Sequence, residues 1–192
     1  MKKHRNLRTT VRWLLVPAFM AGICLHSPAC RASNDPCDGI TPPESLSARL
    51  KESFPHWRIE RTSDLETSYQ DLWAKKFPTA CPGFVAGHLL KPDTIAYALL
   101  LVPSDQTKKG YRLVVFSEST TGTWHPAVLE KDDQYTPTSA VIRVVPPGEY
   151  READGVKKIH TRTDGIVSER IEAGILVYYW NGARFRSVAT SV

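Results

Sequence analysis

The chain has 192 residues, 42% hydrophobic and 23% charged, a balance that excludes long disorder, collagen and a disulfide-dense miniprotein and allows one domain or two small ones. The formal net charge of +5 is unevenly placed: six of the 25 Lys and Arg residues lie in residues 1–32, which contain no Asp or Glu, so residues 33–192 hold 19 basic side chains against 20 acidic ones. That later part has no charge excess with which to neutralise phosphates, and no nucleic-acid partner is expected.

The N-terminal stretch MKKHRNLRTTVR is basic and is followed by thirteen uncharged residues, Trp13 to Leu25. This run is shorter than the ~20 residues that span a bilayer and fits the apolar core of a secretory signal peptide over residues 1–32. Cleavage after Ala32 satisfies the small-residue rule. Cleavage after Ala29 is the alternative and would leave Cys30 first, open to lipidation, the one route by which a membrane would become a partner. An uncleaved anchor is a third possibility. Export places the remaining pair, Cys37 and Cys81, in an oxidising compartment, periplasmic or extracellular, where a disulfide is expected.

Residues 33–43, with three prolines, read as an extended leader. Thr41-Pro42-Pro43-Glu44 carries the pattern of a capping box, and Leu46, Leu50 and Phe54 then recur at helical spacing until Pro55. Ser63-Asp64-Leu65-Glu66 repeats the pattern before an apolar stripe of Leu65, Tyr69, Leu72 and Trp73, which Pro78 ends. From Cys81 onward, β-branched and aromatic runs alternate with Gly, Pro, Ser and Thr breaks. Nine strands are predicted: GFVAGHLL, TIAYALLLV, YRLVVFS, WHPAVLE, AVIRVV, VKKIHT, GIVSERI, GILVYYW and ARFRSVA. The apolar runs Thr94–Val102 and Tyr111–Ser117 belong in a sheet centre. Asn181-Gly182 predicts a tight hairpin between the last two strands. The expected fold class is α+β, mainly β: two short N-terminal helices packed on an antiparallel meander, sandwich or small propeller-like sheet, with residues 44–192 forming one domain.

Gly87-His88-Leu89-Leu90-Lys91-Pro92-Asp93, followed by the strand through Tyr97 to Leu101, resembles the FG-GAP/VCBS-type repeat. In that family the loop reads G-D-F-N-G-D-G-K-P-D. The resemblance implies a strand–loop–strand unit of propeller type. Here His88, Leu90, Pro92 and Ala96 stand where the family has calcium ligands, so the ion is not implied. The layout after the signal also resembles small exported bacterial proteins of inhibitor or immunity type, which implies a protein that masks a partner.

Motifs for catalysis are sparse. G-x-S-x-G, H-E-x-x-H, S-x-x-K, P-loop and G-x-G-x-x-G patterns are absent from the sequence. His56, His88, His125 and His160 stand apart from one another, and no metal or other cofactor is implied. The carboxylate pairs Asp132-Asp133 and Glu169…Glu172 could serve an envelope-polymer hydrolase only if two of them faced across a cleft. Aromatic residues point instead to binding. Trp124, Tyr178 and Trp180 are candidate anchors, with Glu130, Asp132 and Asp133 as rim carboxylates for a basic partner. Pro103–Gly110, Ser117–Thr123 and Glu130–Thr138 are the loops that could enter a partner's cleft. The expected function is non-enzymatic: an exported immunity or inhibitor protein that neutralises a toxin or cell-wall hydrolase. The alternatives are the hydrolase itself or a structural envelope protein.

Overall fold

The structure, a computed structural model, describes residues 35–136, 138–153, 155, 158–171 and 174–190. The signal segment, both cleavage sites, Cys30 and Glu172 lie outside the described residues.

The described chain begins with a 3-10 turn, Pro36–Gly39, in which the Asp35 carboxylate accepts the Cys37 N–H at 2.9 Å. The leader is therefore not extended throughout. Helix α1 (Glu44–Ser53) follows, and then strand β1 (Trp57–Ile59). A second 3-10 turn, Thr62–Asp64, precedes helix α2 (Thr67–Lys76). Neither predicted capping box forms. Pro43 occupies the N-cap of α1 without a side-chain acceptor, which leaves Thr41 two residues too early. Ser63 lies inside its turn, where Asp64 accepts the Arg61 N–H at 2.8 Å and holds the Arg58 guanidinium at 2.5 and 2.6 Å.

The remaining strands are β2 (Phe84–Lys91), β3 (Thr94–Pro103), β4 (Tyr111–Glu118), β5 (Trp124–Asp132), β6 (Ala140–Val145), β7 (Glu149–Arg151), β8 (Lys158–His160), β9 (Gly165–Arg170), β10 (Gly174–Trp180) and β11 (Phe185–Thr190). The fold is mainly β, and every strand pairing is antiparallel. The first sheet runs β3-β4-β5, with β1 and β2 lying end to end along the far edge of β3. The second runs β11-β10-β9-β6, and β7-β8 form a separate hairpin. The three-residue strands β1 and β7 are too short to leave a period in the sequence.

Strands β3 and β4 are apolar along their length because both of their faces are covered. Leu99, Leu101, Val114 and Phe116 pack against α1 through Leu46, Leu50 and Phe54. Ala98, Leu100, Leu113 and Val115 meet Ala140, Ile142, Ile166 and Tyr178 of the second sheet. The outer face of the second sheet carries Val167, Val177 and Val188, packed on Ile159 of β8. Helix α2 adds Trp73 and Tyr69, with Leu65 just before it, beside Val141. Leu72, predicted for that stripe, is 41% exposed. The turn between β10 and β11 is one residue later than predicted. Asn181 N–H donates to the Arg184 carbonyl at 3.1 Å, which centres the turn on Gly182–Ala183, with Gly182 at φ 95°.

Cys37 and Cys81 form the expected disulfide, with Cα atoms 4.7 Å apart. Beside it lies Glu60, fully buried, with neither carboxylate oxygen bonded among the described residues. Gly83 packs onto its backbone so closely that a Cβ at this position would collide with the Glu60 carbonyl. Burial pushes the Glu60 carboxyl well above the ordinary carboxylate range; Asp64 adds to the shift and Arg58 opposes it. A raised folded pKa contributes stability that is full below the ordinary value and is lost as pH rises through the raised one. Glu60→Gln is accordingly expected to melt above the parent at pH 8, with the gap closing toward pH 4. A gap that does not vary with pH in calorimetric scans would contradict this assignment.

Candidate functional site

The site begins with a bulge. Leu113 pairs with Glu130 and Val114 with Val128, so Leu129 is an extra residue in β5. An inserted residue breaks the alternation of side chains. Leu129 and Glu130 consequently both face the second sheet, Leu129 against the shared core and Glu130 toward its hydroxyl groups.

Glu130 accepts the phenol protons of Tyr111, in β4, and of Tyr178, in β10, the latter at 2.8 Å. Arg170, in β9, lies 3.4 Å from the same carboxylate and donates to the Tyr111 oxygen at 2.8 Å. The Arg170 guanidinium also lies 5.8 Å from the ring centres of Tyr111 and Tyr135. Two residues of each sheet thus meet in one polar tie at the margin of an otherwise apolar interface. Desolvation and the hydrogen bond to Glu130 push the Tyr111 phenol up to about 12, and desolvation together with the Glu130 charge raises Tyr178 as well. Glu130 is therefore an acceptor spent on internal donors rather than a free rim carboxylate.

This tie makes an alkaline prediction. Because the folded pKa values are raised, the phenols contribute fully below their ordinary value near 10 and lose that contribution as pH climbs through the raised values, about 12 for Tyr111 and higher for Tyr178. Glu130→Ala orphans two buried donors and is expected to cost roughly 1–3 kcal/mol at pH 7. In tyrosinate absorbance titrations, the late-ionising component should move to lower pH in that variant. An unchanged titration would remove Glu130 from this role.

The other predicted site residues are dispersed. Asp132 accepts the N–H groups of Gln134 and Tyr135 at 2.7 and 3.1 Å, closing its own turn. Asp133 pairs with Arg112, whose guanidinium stacks 4.3 Å over the Trp57 ring. Glu130 is spent on internal donors and Asp132 on its own turn, so as rim carboxylates for a basic partner those two are corrected; Asp133, 68% exposed, remains at the surface beside Arg112. Trp124 is only 5% exposed and sits under α1, on the face of the first sheet away from Glu130; its anchor role is corrected to a core role. Tyr178, at 7% exposure, is likewise interior. Trp180 alone among the three reaches the surface, on the same face as Tyr178, as alternation requires.

Trp180 stacks edge-on against Phe185, with ring centres 5.2 Å apart. The pair floors an open cleft of about 540 Å³ between the outer strands of the two sheets. Ala127, Val128 and Leu129 of β5 form one wall, and residues 183–187 form the other. Trp180 also borders a second cleft of about 560 Å³ with Tyr179, His160 and Arg162. Arg162, Arg184 and Arg186 are exposed and make no ion pair among the described residues. None of the three predicted polar loops lines the first cleft. The sequence reading missed Phe185 and its flanking arginines, although the alternation Arg184-Phe185-Arg186 beside a tight turn was a usable signal.

The segment resembling the FG-GAP/VCBS repeat folds as the β2–β3 hairpin, turning at Pro92–Asp93. The His88 N–H in it donates to the Asp164 carboxylate at 2.7 Å. Among the described residues, no three His, Cys, Asp or Glu side chains gather as a metal site, and no helix is long and apolar enough to cross a membrane. No protein-family model, curated protein or solved structure matches the chain.

Proposed function

We propose that this chain is an exported binding protein of inhibitor or immunity type, acting in the periplasm or outside the cell without turnover of its own. On this reading it masks a protein partner such as a toxin or a cell-wall hydrolase. The two facing sheets are read as a sandwich, and its open margin is the binding face. The observation that carries the reading is the partly buried Trp180–Phe185 pair, floored in a cleft and flanked by arginines without ion-pair partners among the described residues. Aromatic and arginine side chains in such settings are the usual binding anchors. The Cys37–Cys81 bond supports an oxidising compartment.

The test is a comparison of partners. Immobilised parent protein should retain a specific partner from a periplasmic extract, and Trp180→Ala should weaken that binding by roughly 2 kcal/mol while the variant still melts cooperatively. In a strain carrying the matching toxin, deletion of the gene should cause lysis or self-intoxication that the parent rescues and the Trp180 variant does not. Purified protein that degrades peptidoglycan by itself would replace the binding reading with the hydrolase one.

A further inference from the structure

The hydrogen-bond pattern of β11 defines which of its backbone groups are free. Asn181 and Arg184 form the bonded pair that closes the hairpin. Trp180–Phe185 and Tyr178–Ser187 are then the non-bonded pairs of the ladder, and Tyr179–Arg186 and Val177–Val188 the bonded ones. The other end of the strand agrees: the Ala189 carbonyl points outward, where it accepts the Ala153 N–H at 2.9 Å. By the same alternation, Phe185 and Ser187 turn their N–H and C=O groups away from β10. Neither residue has a backbone partner there among the described residues. Both residues line the Trp180 cleft.

The opposite wall is built against pairing. Strand β5 carries Pro126, the Leu129 bulge and Lys131 along its free edge, three devices that blunt a strand. Strand β11 has neither a proline nor a bulge between Phe185 and Val188, and its single charge there is Arg186.

We infer that β11 is a docking edge that takes an extended segment of the partner protein as an additional strand, and that this segment alternates acidic with apolar residues. The inference rests on the binding reading above and specifies its chemistry. Main-chain bonds to Phe185 and Ser187 supply the pairing. A residue added opposite Arg186 lies on the Arg186 and Tyr179 face, where a carboxylate meets an unpaired guanidinium. Residues opposite Phe185 and Ser187 point the other way, into the cleft beside Trp180, Ala127 and Leu129, where an apolar side chain fits. A second copy of the chain is disfavoured as the occupant, because β11 against β11 would bring like arginines together.

The probe is a ten-residue peptide alternating valine with glutamate, added to the purified chain and followed by amide hydrogen exchange. In the free protein the Phe185 and Ser187 amides should exchange fast while those of Arg186 and Val188 are protected. Peptide at 1 mM should slow Phe185 and Ser187 at least tenfold. A valine–lysine peptide should not, nor should the valine–glutamate peptide N-methylated at alternate residues. Ser187→Pro removes only an outward N–H and should abolish the protection of Phe185, whereas Ser187→Ala should keep it. The inference is overturned if the acidic peptide leaves both amides unchanged, if the lysine peptide protects them equally, or if both are protected without peptide in a dimer seen by sedimentation. If a partner captured through Trp180 binds Ser187→Pro as well as it binds the parent, strand addition is rejected and the binding reading stands.

Discussion

Trp124→Ala is expected to destabilise the protein by about 3–5 kcal/mol, the range for removing a buried large aromatic side chain. The indole lies among Leu46, Leu99, Leu101, Val114 and Phe116 and meets Tyr97 edge-on, with ring centres 5.5 Å apart. Its Nε1–H donates to the Ser45 hydroxyl at 2.9 Å, so it also fixes the first turn of α1 against β5. Truncation therefore loses packing, a hydrogen bond and the seat of the helix together. Trp124→Phe keeps most of the volume and should cost less than half as much. Trp180→Ala supplies the contrast: its ring is only partly buried, against Phe185, and its removal should cost clearly less, about 1–2 kcal/mol. Urea midpoints of the three variants check this order. If Trp124→Ala and Trp180→Ala proved equally mild, the core placement of Trp124 would be wrong.

Loss of the Cys37–Cys81 bond should be about as costly. The two cysteines are 44 residues apart, and closing a loop of that length stabilises by about 4 kcal/mol in the chain-entropy account. The enclosed segment contains α1, β1 and α2, so the bond restrains the whole helical layer in the unfolded chain. Other ties to the 3-10 turn are weaker. Arg61 pairs with Asp35 at 3.2 Å and with Asp38, but the arginine is 40% exposed and Asp38 53%, a setting in which ion pairs contribute little. The Cys37→Ser/Cys81→Ser double variant should accordingly melt roughly 10 °C lower. The unreduced, denatured parent should take up no thiol label at either position; labelling of both would refute the bond.

The elements were legible where local pattern and tertiary demand coincide. The nine predicted strands all correspond to strands among β2–β6 and β8–β11, because each has enough β-branched and apolar residues to be marked by its own composition. Placement of β3 and β4 at the sheet centre was likewise readable, since only a strand covered on both faces can be apolar at nearly every position. The capping boxes were not readable. Ser, Thr and Glu at the required spacing also suit a 3-10 turn, and the Arg58–Asp64 pair and the Pro42-Pro43 step decided between them.

The functional residues separate along the same line. Alternation placed Tyr178 and Trp180 on one face of β10, but their exposure depends on where the neighbouring sheet ends. The facing strand β5 covers Tyr178 with Glu130 and leaves Trp180 open. Glu130 reads in sequence as one more charge in a mixed-charge turn. It becomes the acceptor of two phenols, Tyr111 of the neighbouring strand and Tyr178 48 residues later in the chain, only because the extra residue at Leu129 turns it toward the second sheet. The free edge of β11 was equally hidden, since strand order and the closing pair of a hairpin are properties of paired chains. What the sequence by itself determined was which segments must bury apolar surface, which must turn, and that charge is concentrated before residue 33. The tertiary structure alone decided which aromatic ring meets solvent, which carboxylates are already bonded and which backbone groups remain free, because each depends on a neighbour distant in sequence.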